Sequence, residues 1–329
     1  MTTAQPSHNA GATNPSRIGP LIEHPHGDVH AVHLGPERLL DAARALVSDA
    51  PGPKAVSAQK FLTAAAAHGL DLDNTWGVMD NAGKVRHVAL ATPGSGRTHM
   101  MFTSPAKTDI DANELSVAID ASCRAIRAHG LAQALLEPAD SVQADAFLSA
   151  GFIKLAVLGY LRRKNPRSRP RTVNPPTLPH GVAIETWKPG ADDDFITALD
   201  RSYVETLDCP ELCGLRETRD VLDSHKAAGI FEPSLWWLVR HHGEPQGAML
   251  FSPGHGHAHI ELVYLGIAPP LRGKRLGATL LEYGLRILAG RKEPSITCAV
   301  DQRNKPAKRL YRKAGFEQFA ERAAFIRPV

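Results

Sequence analysis

The stretch PPLRGKRLGATLLEYGL, residues 269–285, follows the apolar run IELVYLGIA of residues 260–268 and turns a strand into a helix. The run reads as a buried strand. After it, Leu276, Leu280, Tyr283 and Ile287 fall at i, i+4, i+7 and i+11, the spacing of one helix face. Between them stand two glycines and three cations, Arg272, Gly273, Lys274, Arg275 and Gly277. The first backbone N–H groups of a helix have no partner inside it, and that end carries partial positive charge. Few side chains stand in front of these donors, so the segment reads as a cradle for an anion, with phosphate the best fit. A solvated, basic helix start is the plainer reading of the same cations.

Working outward, Val182 to Trp187 reads as a strand, while Ala191 to Thr206 and Arg216 to Ala228 read as helices. Leu235 to His241 and Gln246 to Ser252 form a hairpin around His-Gly-Glu-Pro, and His257 to Ala268 is one long strand. Ser295 to Val300 is a buried strand; Asn304 caps a short helix with Pro306 in its first turn, and Phe316 opens the last strand. The order predicts an α+β fold, a mixed sheet with helices.

The 329 residues favour two units over one core. Residues 1–24 mix Ser, Thr, Asn, Gly and Pro without period and read as a disordered tail. The Pro-rich stretch 164–178 reads as a linker between units at 25–163 and 179–329. The units echo each other: PHGDVHAVHL begins one and PHGVAIETWK the other. Pro105 and Gly151 are as far apart as Pro269 and Gly315, so one duplicated unit accounts for both. A net charge of +4 suits an anionic ligand but is too weak to imply nucleic acid. Four cysteines make no disulfide framework, and no apolar run is long enough for a membrane span or a signal peptide. The expectation is a cytoplasmic protein with free thiols.

At this point the sequence resembles the GCN5-related N-acetyltransferase (GNAT) superfamily. The resemblance rests on Leu265-Gly266-Ile267-Ala268-Pro269 followed by Arg272-Gly273-Lys274-Arg275-Leu276-Gly277. A second signature stands at Asn304, Ala307, Leu310, Tyr311, Gly315 and Phe316. It covers residues 179–329 well and 25–163 in outline, which implies two GNAT-like domains, each a mixed, mostly antiparallel twisted sheet flanked by helices. Arg275 departs from the pattern where the family has Gly, and its Cβ must fit a helical first turn without blocking the ligand.

The resemblance implies acetyl-CoA, or a longer acyl-CoA, as donor and no metal. Its pyrophosphate would lie on Arg272, Gly273, Lys274, Arg275, Leu276, Gly277 and Ala278. Its pantetheine arm would pair along Leu265, Gly266 and Ile267 and touch Asn304 and Ala307. An attacking ammonium must first lose a proton. Glu261 is the candidate base: by strict alternation it shares a face with Val263, Leu265 and Ile267, and the resemblance supports it. A plain strand carboxylate is the competing reading. Tyr311 is the candidate acid for the leaving thiolate, against a half-buried helix tyrosine. Cys298 could suggest a covalent acyl-enzyme, but a buried thiol is the commoner case.

At the matching positions of the first unit, Thr108 to Asn113 reads TDIDAN, Phe147 replaces Tyr311 and Arg97 replaces Glu261. The first unit therefore reads as a degenerate copy. Residues 199–232, with Asp200, Glu205, Asp208, Glu211 and Glu217, should hold the acceptor, an amine-bearing small molecule or a peptide N-terminus. Neither Cys209 with Cys213 nor His257, His259 and Glu261 makes a convincing metal site. The leading function is N-acyl transfer to a primary amine. A non-catalytic acyl-CoA sensor is the alternative, and nucleic-acid binding through the linker's RSRPR comes third.

Overall fold

The computed structural model describes residues 29–168 and 170–329, so the expected tail at 1–24 lies outside the described residues. The first half of the chain runs β1 (Ala31–His33), α1 (Leu39–Leu46), α2 (Lys54–Ala67), β2 (Thr75–Met79), β3 (Val85–Gly94), β4 (Thr98–Thr103), α3 (Asp109–Ala125), β5 (Leu131–Leu136), α4 (Ser141–Ser149) and β6 (Ile153–Lys164). The second half repeats that order. It runs β7 (Val182–Thr186), α5 (Asp192–Tyr203), α6 (Thr218–Ala227), β8 (Trp236–His241), β9 (Glu244–Pro253), β10 (Ile260–Ile267), α7 (Leu276–Leu288), β11 (Ser295–Asp301), α8 (Lys305–Lys313) and β12 (Glu317–Pro328).

Two separate sheets were the expectation, and the structure differs. All the strands form one 12-stranded sheet in the order β1-β2-β3-β4-β5-β12-β6-β11-β10-β9-β8-β7. Exchanging each strand with its counterpart in the other half leaves that order unchanged. The last strand of each half has crossed over: β12 lies between β5 and β6, and β6 between β12 and β11. Pairing is antiparallel except for β4 with β5 and β10 with β11. Lys164, expected to open the linker, is the last residue of β6 and pairs with Ser295.

Each core is therefore finished by a residue of the other half. Leu161 of β6 is buried with Leu276, Leu280, Ile296 and Phe316. Ala323 and Phe325 of β12 are buried with Leu115, Ile119 and Phe147. Helices α7 and α8 cover one face of the second half, and α5 and α6 cover the other with Phe195, Leu199 and Leu222 against Trp236 and Leu250. The apolar spacing predicted for α7 is present, and Gly284 lets that helix approach β9, since a Cβ there would stand 2.7 Å from the Phe251 ring. The strand expected from His257 begins later, at Ile260, because residues 255–257 form a single helical turn with Gly256 in the left-handed region.

Candidate functional site

Strand β10 positions the site by leaving one of its neighbours. It pairs with β9 as far as Ile267 opposite Gly247, but with β11 only at Ile260 and Glu261. From Leu262 onward the edge facing β11 is open. A cleft of about 810 Å³ occupies the gap, lined by Leu265, Gly266 and Ile267 of β10, Ala299 of β11 and Asn304, Ala307 and Tyr311 around α8. Gly273, Arg275, Leu276, Gly277 and Ala278 line it from the start of α7, and Ser202 and Glu205 to Asp208 line it from the end of α5 and the loop after it. An open strand edge offers an extended ligand the main-chain pairing that the missing neighbour would have supplied.

The cradle read from the sequence is present. Ala278 and Thr279 donate to the carbonyl of Arg275, but the amides of Gly273, Lys274, Arg275, Leu276 and Gly277 have no acceptor among the described residues, and no side chain caps α7. Such a run of unpaired amides at a helix start, with Gly273 at φ 75 and Arg275 at φ 63, forms a concave anion nest. Arg275 is not in the helical first turn, as was expected, but is the N-cap in the left-handed conformation. A Cβ costs about 1 to 2 kcal/mol there, which explains why glycine suits this position. Lys274 is exposed on the loop and is not part of the cleft wall.

Gly277 has no internal reason to be glycine: an added Cβ would meet only the Leu310 side chain, at 3.9 Å. Its bareness serves the cleft. Gly277→Ala is therefore expected to stabilise the fold by about 0.5 to 1 kcal/mol through helix propensity. The same change should weaken coenzyme A binding, and parallel thermal melts and calorimetry would show the opposite signs.

The structure assigns Arg272 a different task from the expected one. Its amide donates to the Pro269 carbonyl. Its guanidinium donates to the carbonyls of Ile267 (3.0 Å), Ser202 (3.0 Å), Val204 (2.8 Å) and Glu205 (3.1 Å). All that charge is used to tie the end of α5 to the end of β10, so Arg272 holds the two walls of the cleft together.

Glu261 also needs correction. Val263 is bulged, with Leu262 opposite Phe251 and Tyr264 already opposite Leu250. A bulge adds a residue on one strand and reverses the alternation beyond it. Ile260, Leu262, Leu265 and Ile267 consequently all pack toward α7, whereas Val263 and Tyr264 pack toward α5 and α6. Glu261 stands on the α5 face, not the face of Leu265 and Ile267. It is half-buried, makes no hydrogen bond among the described residues, and burial pushes its carboxyl above the usual range against the opposing pull of His259.

Tyr311 is 7 % exposed, lines the cleft and stacks on Phe316 at 5.7 Å. Burial drives its phenol far above the ordinary tyrosine range, so it stays protonated. Asn304 caps α8 by accepting from Ala307 N at 3.1 Å. Cys298 is 2 % exposed and its thiol is raised by burial, which makes it a core residue and a poor nucleophile.

The acidic loop is partly neutralised. Glu211 forms a double ion pair with Arg303, Asp200 accepts from Thr218 and Asp220 pairs with Arg97. Asp208 and Glu205 remain on the cleft wall, with Asp208 anchored by Asp301 N at 2.8 Å. Sequence reasoning missed Ser202 and Ala299 as lining residues, and no local pattern marks either. Among the described residues no group of His, Cys, Asp and Glu is arranged to hold a metal, and no helix is long and apolar enough to cross a membrane.

Residues 201–316 match the profile of the acetyltransferase (GNAT) family. The chain is 35% identical over 192 residues to a mycothiol acetyltransferase of Acidothermus cellulolyticus, covering 54% of this chain and 56% of that protein. A mycothiol acetyltransferase of Streptomyces coelicolor aligns over 44% of its own length, so the chain spans about half the length of these two curated relatives. One of Streptomyces griseus is 29% identical over 89% of this chain and 93% of its own. In fold, the chain is similar to a GCN5-related N-acetyltransferase from Sphaerobacter thermophilus, with a TM-score of 0.56 at 17% identity over 91% of this chain and 95% of that one.

Proposed function

We propose that this chain, a GNAT-superfamily acetyltransferase over its segment 201–316, moves an acetyl group from acetyl-coenzyme A to a primary amine by direct attack. The observation that carries the reading is the convergence, on one cleft, of five unpaired amides at the start of α7, the open edge of β10 and the buried hydroxyl of Tyr311. The amides and the positive end of α7 hold the diphosphate. The β10 edge aligns the pantetheine arm, and its main-chain donors stabilise the oxyanion formed on attack.

On this reading Glu261 takes a proton from the ammonium and Tyr311 gives one to the departing sulfur. A base whose pKa burial raises works nearer neutral pH than an exposed glutamate. The native state holds that proton more tightly than the unfolded chain does, so the neutral carboxyl's contribution to stability is lost as pH rises through the folded value. The acid limb of kcat/KM should thus lie above the ordinary carboxylate value, and it should disappear in Glu261→Gln. Unchanged limbs in the two pH profiles would remove Glu261 from the mechanism.

We also read the first half as a degenerate copy. The order βααβββαβαβ occurs twice, and the sheet order is symmetric under exchange of the halves. At α3 the corresponding anion nest is closed by a capping box, in which Thr108 accepts from Asp111 N and Asp111 accepts from Thr108 N. Phe147, at the position of Tyr311, is fully buried. On this reading the two copies are proposed to span 25–163 and 179–329 in sequence, with 164–178 between, while their last strands are exchanged and Lys164 belongs to β6.

Thiol release from acetyl-coenzyme A tests the activity. The amine panel should include the mycothiol-related acceptor suggested by the relatives' names, together with small amines and peptide N-termini. No heat on adding coenzyme A to the purified protein would refute the donor site.

A further inference from the structure

On the α5 face of the sheet, register places five polar residues in one row. Ser252 of β9 stands opposite Glu261 of β10, Glu261 opposite Thr297 of β11, Thr297 opposite Arg162 of β6, and Arg162 opposite Glu317 of β12. Tyr160 lies one pleat away on the same face of β6, close enough to Glu261 for the carboxylate to help hold its phenol up, after the larger effect of burial. Within the described residues, the side chains of Ser252, Glu261, Thr297, Arg162 and Tyr160 make no hydrogen bonds. Ser252 Oγ is sealed from solvent with no partner. Arg162 has no carboxylate partner there, not even Glu317, and its only assigned contact is with the Phe319 ring at 5.0 Å.

The Arg162 end of the row opens into a cavity of about 1060 Å³, separate from the coenzyme cleft, whose charged lining is Arg162, Arg163, Lys164, Arg167 and one carboxylate, Glu317, with Asn165 and Ser295 beside them. Asn165 is 6 % exposed, and its Oδ1 is a second buried atom without a partner. Four cations outnumber the one carboxylate, Glu317, around this cavity, and within the described residues Glu317 makes no ion pair with any of them, so the cavity carries an excess of positive charge that favours an anion. The unsatisfied Ser252 Oγ in the row, and the unsatisfied Asn165 Oδ1 on the cavity beside it, indicate a site completed by a ligand and the water held with it.

We infer that this row is the acceptor site, and that it selects an amine whose far end carries an anion, a carboxylate or a phosphate. The amine lies beside Glu261 and the anion beside Arg162 and Lys164. Two strand spacings separate Glu261 from Arg162, which sets nitrogen and anion about 10 Å apart. Specificity on this assignment comes from β6, a strand of the first half, which reaches the site because the last strands are exchanged. The inference rests on the N-acyltransferase reading for the role of the amine, and its test is chosen to be read independently of turnover.

The probes are 8-aminooctanoate, 8-aminooctyl phosphate and the neutral 8-aminooctanamide, titrated calorimetrically into the full chain with coenzyme A present. Binding of at least one anionic probe is expected to be about 10-fold or more tighter than that of the amide. Arg162→Gln should erase the preference, whereas Lys84→Gln, which removes an exposed cation at the far end of the sheet, should keep it. Carboxylate against phosphate identifies the anion. Equal affinity for all three probes, or a preference that survives in Arg162→Gln, would overturn the inference. Thiol release on the same probes reads the parent proposal separately: bound probes without turnover would count against acyl transfer and leave the anion preference standing.

Discussion

Replacing Tyr311 by Phe is expected to lower the rate of thiol release about 100-fold, the usual size of a lost general acid, with coenzyme A affinity within about twofold of wild type. The reasoning is electrostatic. The phenol is buried against Phe316, and burial raises its pKa well above the ordinary tyrosine value, so it is protonated near neutral pH. A protonated hydroxyl facing the cleft can hydrogen-bond the developing thiolate, whose ordinary pKa is about 8.5, and that bond stabilises the leaving group although the raised phenol pKa opposes full proton transfer in the buried state. Phe fills the same volume, so the core around Leu280 and Val300 should be preserved. A loss in kcat without a rise in the coenzyme's Kd assigns Tyr311 to chemistry; unchanged turnover would leave it a core residue.

The second large effect is expected at Gly96, far from Tyr311 in sequence and in the other half of the chain. The turn between β3 and β4 docks on α6: Ser224 donates to the Ser95 carbonyl at 2.8 Å, Arg216 to the Gly96 carbonyl at 2.7 Å, and Arg97 to Asp220 at 2.8 Å. Gly96 has φ 66, and a Cβ on it would stand 1.9 Å from the Asp220 carbonyl oxygen. The obstacle is backbone and cannot rotate away. Gly96→Ala should therefore cost about 3 kcal/mol in denaturant unfolding, from left-handed strain plus overpacking. It should also raise KM for the amine, because α6 must shift, while coenzyme A binding at α7 is kept. Arg97→Ala, which removes an exposed ion pair, should cost far less than Gly96→Ala. Equal small costs for the two variants would show that the docking is loose.

The cradle was legible because it is local: glycine positions, the apolar period of α7 and the unpaired first turn all lie within residues 272–288. Asn304 as a cap and Tyr311 on the inner side of α8 were legible for the same reason. The face of Glu261 was not, since one bulged residue, Val263, reverses the alternation on which the expectation stood. Arg272 carried the right charge for a phosphate ligand, but no sequence pattern reveals that four carbonyls of α5 and β10 converge on it. The exchange of β6 and β12 was hidden too. Alternating hydrophobicity says which face of a strand is buried, not which neighbour it pairs with.

The position of β12 also bears on how the chain comes to be folded during synthesis. Residues 131–136 find their antiparallel neighbour only at 323–328, nearly the whole length of the second half later. In the native sheet β12 lies between β5 and β6, so this part of the first half's sheet is completed only by residues made after the whole of β7 to α8. Pairings this remote in sequence carry a heavy loop-closure cost and form slowly. Ala132 and Ala134, sealed once β12 is in place, lie on an open edge until residues 323–328 are available to pair, and an unpaired edge of that kind is open to wrong partners.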